Sequence, residues 1–269
     1  MKFILKEEFY RCIKSKTFRL CLYFCTIMCV ANSIISYSMF IDNGKYSYPW
    51  SFLAGWAPMN IQLPFAQIIN IFLPLIAAIP FGGSAFYDLD SGYIRNILVK
   101  TSAKRYYCSK YIVCFTSGFI ICFYTFILSF LLEITHMPIV NPCPFVEIVG
   151  IREVSFLSNV YFTKPLLYMI IYTLINSYAA GLFAVTSMCT APYVKNIFEA
   201  IVTPFVFLVV IKCILERLDL CFLDILNMIN PQQNWKIYGS VTLVTFVIWT
   251  IVSFYFGCIK RRDKEVINI

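Results

Sequence analysis

The residues that could support chemistry are few, and most of them sit together. Asp88, Asp90 and Ser91 are followed by Gly92 and Arg95 within the polar stretch YDLDSGYIRNILVKTSAKRYYCSK, residues 87–110. Acids and a hydroxyl ahead of a glycine place acceptors and negative charge where a short helix would begin, and Ile94, Ile97 and Leu98 give that helix one apolar stripe. Ser102 is positioned to cap a second helix. Such an element offers recognition of charge, not cleavage of bonds. An ordinary solvated connector would not require acids, a glycine, an apolar stripe and bases in that order.

Elsewhere the sequence holds little material for catalysis. It has no HExxH motif, no CxxC pair and a single histidine, His136, which argues against a zinc centre or a metalloprotease. Glu7, Glu8 and Arg11 have the residue types of a membrane-protease signature at the wrong spacing. Of the 12 cysteines, Cys21, Cys25 and Cys29 form a helical stripe suited to packing as small hydrophobes. Cys143 and Cys221 alone fall clearly in outward loops, and a bridge between them stays open.

The elements that must position these residues are dictated by composition. Of 269 residues, 60% are hydrophobic and 13% charged, against roughly 45–50% and about 25% in soluble domains. A soluble core cannot hide that excess, so lipid must solvate much of the surface. The chain is expected to be an all-α polytopic membrane protein forming one transmembrane domain. Six stretches, about 20–40, 66–86, 111–132, 165–188, 197–215 and 238–258, meet the ~20-residue requirement of a spanning helix. None shows the alternation of a barrel strand.

Sixteen of the 22 Lys and Arg residues fall on the side of the termini; Lys45, Arg152, Lys164, Lys212, Arg217 and Lys236 lie opposite. Both termini are therefore expected in the cytoplasm; the membrane is expected to be the plasma membrane. The net charge of +8 reads as this bias together with attraction to anionic lipid, and not as a nucleic-acid surface. Residues 2–16 read as an interfacial helix with Leu5, Phe9, Cys12 and Ile13 on one face and Glu7, Glu8, Arg11 and Lys14 opposite. A solvated basic leader is the competing reading. The first apolar run is too long for a signal core and is taken as an uncleaved span.

The expected spans carry almost no ionisable group; Glu199 and Lys212 lie near the ends of the fifth, where they can snorkel. A self-powered ion-coupled transporter would keep such groups at depth. Gln67, Asn70 and Asn176 are polar residues within spans, open to two readings, interhelical hydrogen bonding or a translocation path. Pro74, Pro80 and Pro204 are expected to kink their helices. Trp50, Trp56, Tyr46 and Tyr48 in the first outer loop suit the headgroup belt.

Read in order, an acid, Ser-Gly, a base, a leucine-type patch and a Ser-Ala-Lys-Arg-Tyr turn leading to Ser-Lys resemble the region after the second span in type-2 ABC transporter permeases. The resemblance extends in layout over nearly the whole chain and in motif over about 24 residues. It implies that 87–106 is a coupling helix that docks into an ATP-binding subunit, with Gly92 and Arg95 at matching positions. Asp88 and Asp90 stand where the family commonly has one glutamate. No GxxxxGK[ST] loop is present, so ATP and Mg would belong to the partner ATPase. The resemblance also implies a second permease copy or a sister permease. The cargo would be an antimicrobial peptide of bacteriocin type, expelled for self-protection, or an amphipathic drug. The competing expectations are a membrane enzyme acting on lipid or peptide, and a non-transporting sensor or structural component.

Overall fold

Apolar runs this long leave the backbone no water to bond, so the chain pairs its own N–H and C=O groups in helices. The structure, a computed structural model, describes residues 2–44, 51–59, 63–99, 101–139, 141–142, 151, 155–233 and 236–259. Among these the fold is all-helical. In order the helices are α1 (Lys2–Lys14), α2 (Lys16–Gly44), α3 (Pro64–Ala78), α4 (Ser84–Asp90), α5 (Tyr93–Leu98) and α6 (Ala103–Ile134). They continue with α7 (Ser158–Thr163), α8 (Pro165–Thr190), α9 (Ile197–Arg217), α10 (Ile225–Ile229) and α11 (Gly239–Phe254), the last running into a π-turn at Tyr255–Ile259.

Five helices, α2, α6, α8, α9 and α11, have the length and apolarity of membrane spans, which marks a multi-pass membrane protein. Five of the expected stretches coincide with these helices. The stretch 66–86 does not form one continuous helix. α3 ends at Ala78, a turn occupies 79–83, and α4 starts at Ser84. Pro80 supplies no N–H, and Gly82 and Gly83 follow it, so the helical ladder is cut just where hydropathy stays high. The Thr17 hydroxyl donates to the Pro80 carbonyl at 3.0 Å.

α6 and α8 form the centre. Gly118 of α6 lets the two backbones meet, since a Cβ there would lie 2.6 Å from the Ala180 carbonyl oxygen. α9 and α11 sit outside and present Val206, Phe207, Val210, Val244, Ile248 and Ile251 outward. Exposed apolar side chains on outer helices and buried Ser, Thr and Asn on α6 and α8 are the pattern of a bundle solvated by hydrocarbon.

Local sequence explains several helix ends. Ser15 accepts the Phe18 N–H at 3.1 Å and opens α2. Pro165 stands in the first turn of α8, where its missing N–H costs nothing. Asp224 accepts from Leu226 N–H and opens α10. Ser102 does precede α6, yet its hydroxyl makes no cap hydrogen bond; the Ser102 carbonyl takes the Arg105 N–H instead.

Candidate functional site

α1 is helical from Lys2 to Lys14, and Leu5, Phe9 and Cys12 of the expected apolar face do pack inward, but the buried face is rotated to take in Glu8 and leave out Ile13. Ile4, Glu8 and Cys12, spaced i, i+4, i+8, turn inward, while Ile13 is exposed. Glu8 thus enters the bundle as a carboxylate between two apolar neighbours. Burial pushes the Cys12 thiol up to about 12, so it remains a protonated, inert packing group.

A second carboxylate comes from α4. Asp88 and Asp90 stand in the last turn of that helix, not at the start of one, and Gly92, at φ +69°, turns the chain into α5. Two negative charges at a helix C-terminus oppose its dipole, so Asp88 requires cations. It receives two. Arg11 Nη2 lies 2.6 Å from Asp88 Oδ1, and Lys110 Nζ lies 2.6 Å from Asp88 Oδ2. The same cations hold Glu8, with Arg11 Nη1 at 2.6 Å and Lys110 Nζ at 2.9 Å. The Tyr106 hydroxyl donates to Asp88.

Two anions and two cations close this network without net charge, and three of the four, Glu8, Asp88 and Lys110, are buried. A buried charge persists only when paired and hydrogen-bonded. Burial acts to raise the Asp88 carboxyl, but Lys110, Arg11 and Tyr106 outweigh it and hold the group below its ordinary value. Aromatic rings complete the enclosure: Arg11 lies 4.4 Å from the Tyr93 ring centre and Lys110 lies 4.5 Å from that of Phe81. The network ties α1, the α4–α5 corner and the first turns of α6 into one unit.

The sequence-identified residues therefore separate into two groups. Asp88 is buried and serves this clamp, whereas Asp90 and Arg95 are exposed on the corner and Gly92 makes its bend. Ile94 is buried, with Ile97 and Leu98 packed beside it, so α5 is anchored by its apolar side. Glu8, Arg11 and Lys110 were not legible as partners of Asp88. The available signal was Glu8 itself, a carboxylate midway along the Ile4–Cys12 stripe.

Of the three span residues, Asn70 and Asn176 make separate interhelical or loop contacts. Gln67 is exposed on α3. Asn70 donates to the Ala57 carbonyl at 2.9 Å, and Asn176 donates at 2.9 Å to both the Tyr172 and Ile229 carbonyls. Asn176 thereby holds α10 against α8.

The segment 51–59 is the other departure. Trp56 is fully buried and not an interfacial anchor; its indole N–H donates to the Phe126 carbonyl at 3.1 Å. Trp50, Tyr46 and Tyr48 lie outside the described residues, as does Cys143, while Cys221 is buried and unbridged. Side chains from three helices satisfy this non-helical backbone: Asn32 donates to Gly55 O, Ser129 accepts from Ala57 N, and Asn70 takes Ala57 O. Beneath it, Glu133 is buried with the Ser36 hydroxyl at 3.0 Å and His136 Nε2 at 3.2 Å. Glu133 lies just beyond the expected third span, 111–132, but within α6, which ends at Ile134.

No protein-family model matches the chain, and neither the curated proteins nor the solved structures contain a match.

Proposed function

We propose that this chain is the transmembrane permease subunit of an ATP-driven ABC exporter of the type-2 class. In this reading α3 supplies a further crossing, giving six with α2, α6, α8, α9 and α11, and both termini lie in the cytoplasm at the plasma membrane. α1 lies along the cytoplasmic leaflet. The α4–α5 corner is the coupling element that enters a cleft of a separate ATP-binding subunit, which holds ATP and Mg and performs the hydrolysis. A second permease copy or a sister permease completes the path, and the cargo is an antimicrobial peptide or an amphipathic drug.

The observation that supports this most is the division of labour at the corner. Asp90 and Arg95 face outward while Asp88 is bolted through Lys110 and Arg11 to the base of the central helix and to α1. A force applied at the outward pair would reach α6 through charge-assisted bonds rather than through a slack loop. The test is to purify the tagged chain in mild detergent and identify what accompanies it. A nucleotide-binding ATPase recovered in equal amount, with ATP hydrolysis stimulated by the complex, supports the reading. A chain that runs alone, or that hydrolyses lipid or peptide without ATP, defeats it.

A further inference from the structure

Two apolar-walled spaces open on one flank of the bundle and adjoin. The first, about 510 Å³, lies between the start of α2, the turn after α3 and α9, with Arg11, Ser15 and Lys16 at its rim and Phe81, Ile197 and Ile201 in its walls. The second, about 360 Å³, follows the seam of α2 and α3 past Leu20, Phe24, Phe72 and Ile76. Thr17 and Ile79 line both, so a cationic mouth continues into an apolar furrow along the helices.

The charge balance of the mouth is one-sided. Among the described residues, no carboxylate lines either space. Glu8 and Asp88, the acids paired to Arg11, are neutralised there by Arg11 and Lys110. Lys16 is exposed and makes no ion pair among the described residues, and the Arg11 side chain keeps a third of its surface open. A soluble anion would use only the mouth, and an apolar molecule only the furrow. One molecule with a phosphate at one end and a hydrocarbon tail uses both.

We propose that this combined groove binds one anionic glycerophospholipid, its phosphate beside Lys16 and one acyl chain in the α2–α3 seam. Complementary charge selects the anionic headgroup, since the mouth offers cations and no acid to receive a choline. The lipid would fill the wedge left where α3 breaks at Pro80, at the level of the ion clamp. This goes beyond a coupling role and does not require one.

The test is native mass spectrometry of the detergent-purified full chain titrated with phosphatidylglycerol, with phosphatidylcholine of the same chains, and with inorganic phosphate. One phosphatidylglycerol per chain is expected, bound about tenfold tighter than phosphatidylcholine and not displaced by phosphate. Lys16→Glu should weaken it about fivefold or more, in keeping with the contribution of one basic residue. Leu20→Trp, on an exposed furrow position, should weaken both lipids, whereas Phe198→Ala on α9 should change neither. Equal binding of the two lipids, indifference to Lys16→Glu and Leu20→Trp, or full displacement by phosphate would each overturn the proposal. So would a furrow occupied by a second copy, seen as a dimer that Leu20→Trp dissociates while lipid binding stays the same.

Discussion

Lys110 Nζ lies 2.6 Å from Asp88 Oδ2 with both side chains closed off from solvent, although hydropathy assigns both to the polar connector 87–110. The pair exists because α6 begins at Ala103, two turns before the apolar run, so that Lys110 is carried into the bundle. Removing one partner from a buried pair leaves an uncompensated charge. Lys110→Met is expected to cost about 3–5 kcal/mol, read as a fall in the detergent unfolding midpoint. Combining it with Glu8→Gln alone should restore part of that loss, because Arg11 and Asp88 then remain as a balanced pair.

The pH dependence of the clamp follows from Asp88. Its carboxyl lies below the ordinary value of 3.8, since Lys110, Arg11 and Tyr106 outweigh the effect of burial. A carboxylate depressed in the folded state contributes stability above its unfolded pKa and loses it as pH falls through the folded one. Stability from this group should therefore stay level from pH 8 to about 5 and decline only below ~3.9, the unfolded value. Unfolding midpoints across pH 3–8 check this, and Asp88→Asn should flatten the acid limb.

The buried segment 51–59 gives a steric prediction. A Cβ on Gly55 would overlap the Glu133 carboxylate and the Ser36 hydroxyl. Gly55→Ala should destabilise by about 1–3 kcal/mol, the usual cost of overpacking. Glu133→Ala in the same chain should recover part of it, since the Ser36 hydroxyl, 2.5 Å from the new Cβ, must still rotate away. Thermal unfolding of the two single variants and the double variant gives the coupling directly.

The α6–α8 contact is less forgiving. A Cβ at Gly118 would meet the Ala180 carbonyl oxygen at 2.6 Å and the Ala184 Cβ at 2.9 Å. One of these is backbone and cannot rotate away. Gly118→Val should lower the unfolding midpoint, and Ala184→Gly should relieve it only in part.

How much of this was legible in the sequence depends on the range of the interaction. Span position is a local property of ~20 residues, so α2, α6, α8, α9 and α11 fall close to the apolar runs. The break in the run 66–86 was legible only as a kink expected at Pro80, because Pro80, Gly82 and Gly83 end the helix without lowering hydropathy enough to split the run. Ile94, Ile97 and Leu98 pointed correctly to an apolar side of α5. The clamp joins Glu8 to Lys110, separated by 102 positions, and no local pattern reports such a pairing. Trp56 shows the same limit: its type suits a headgroup belt, but only the packed bundle reveals an acceptor at Phe126 for its indole.

The two aspartates of the corner should behave differently on substitution. Asp88→Ala is expected to lower stability, since it opens the clamp, and in the proposed role export would fall with it. Asp90→Ala and Arg95→Ala should leave the unfolding midpoint within about 0.5 kcal/mol, as exposed positions do. In the proposed role they should reduce ATP-dependent export about tenfold, the effect of ~1.4 kcal/mol of docking free energy. Export assays beside unfolding curves separate the two behaviours.

The most direct test places a photo-crosslinking amino acid at position 95 in intact cells and identifies the adduct by mass spectrometry. Coupling through the α4–α5 corner predicts a single covalent partner bearing a nucleotide-binding phosphate loop. Labelling of the same position by a membrane-impermeant reagent in sealed cells, with no such adduct, would contradict it.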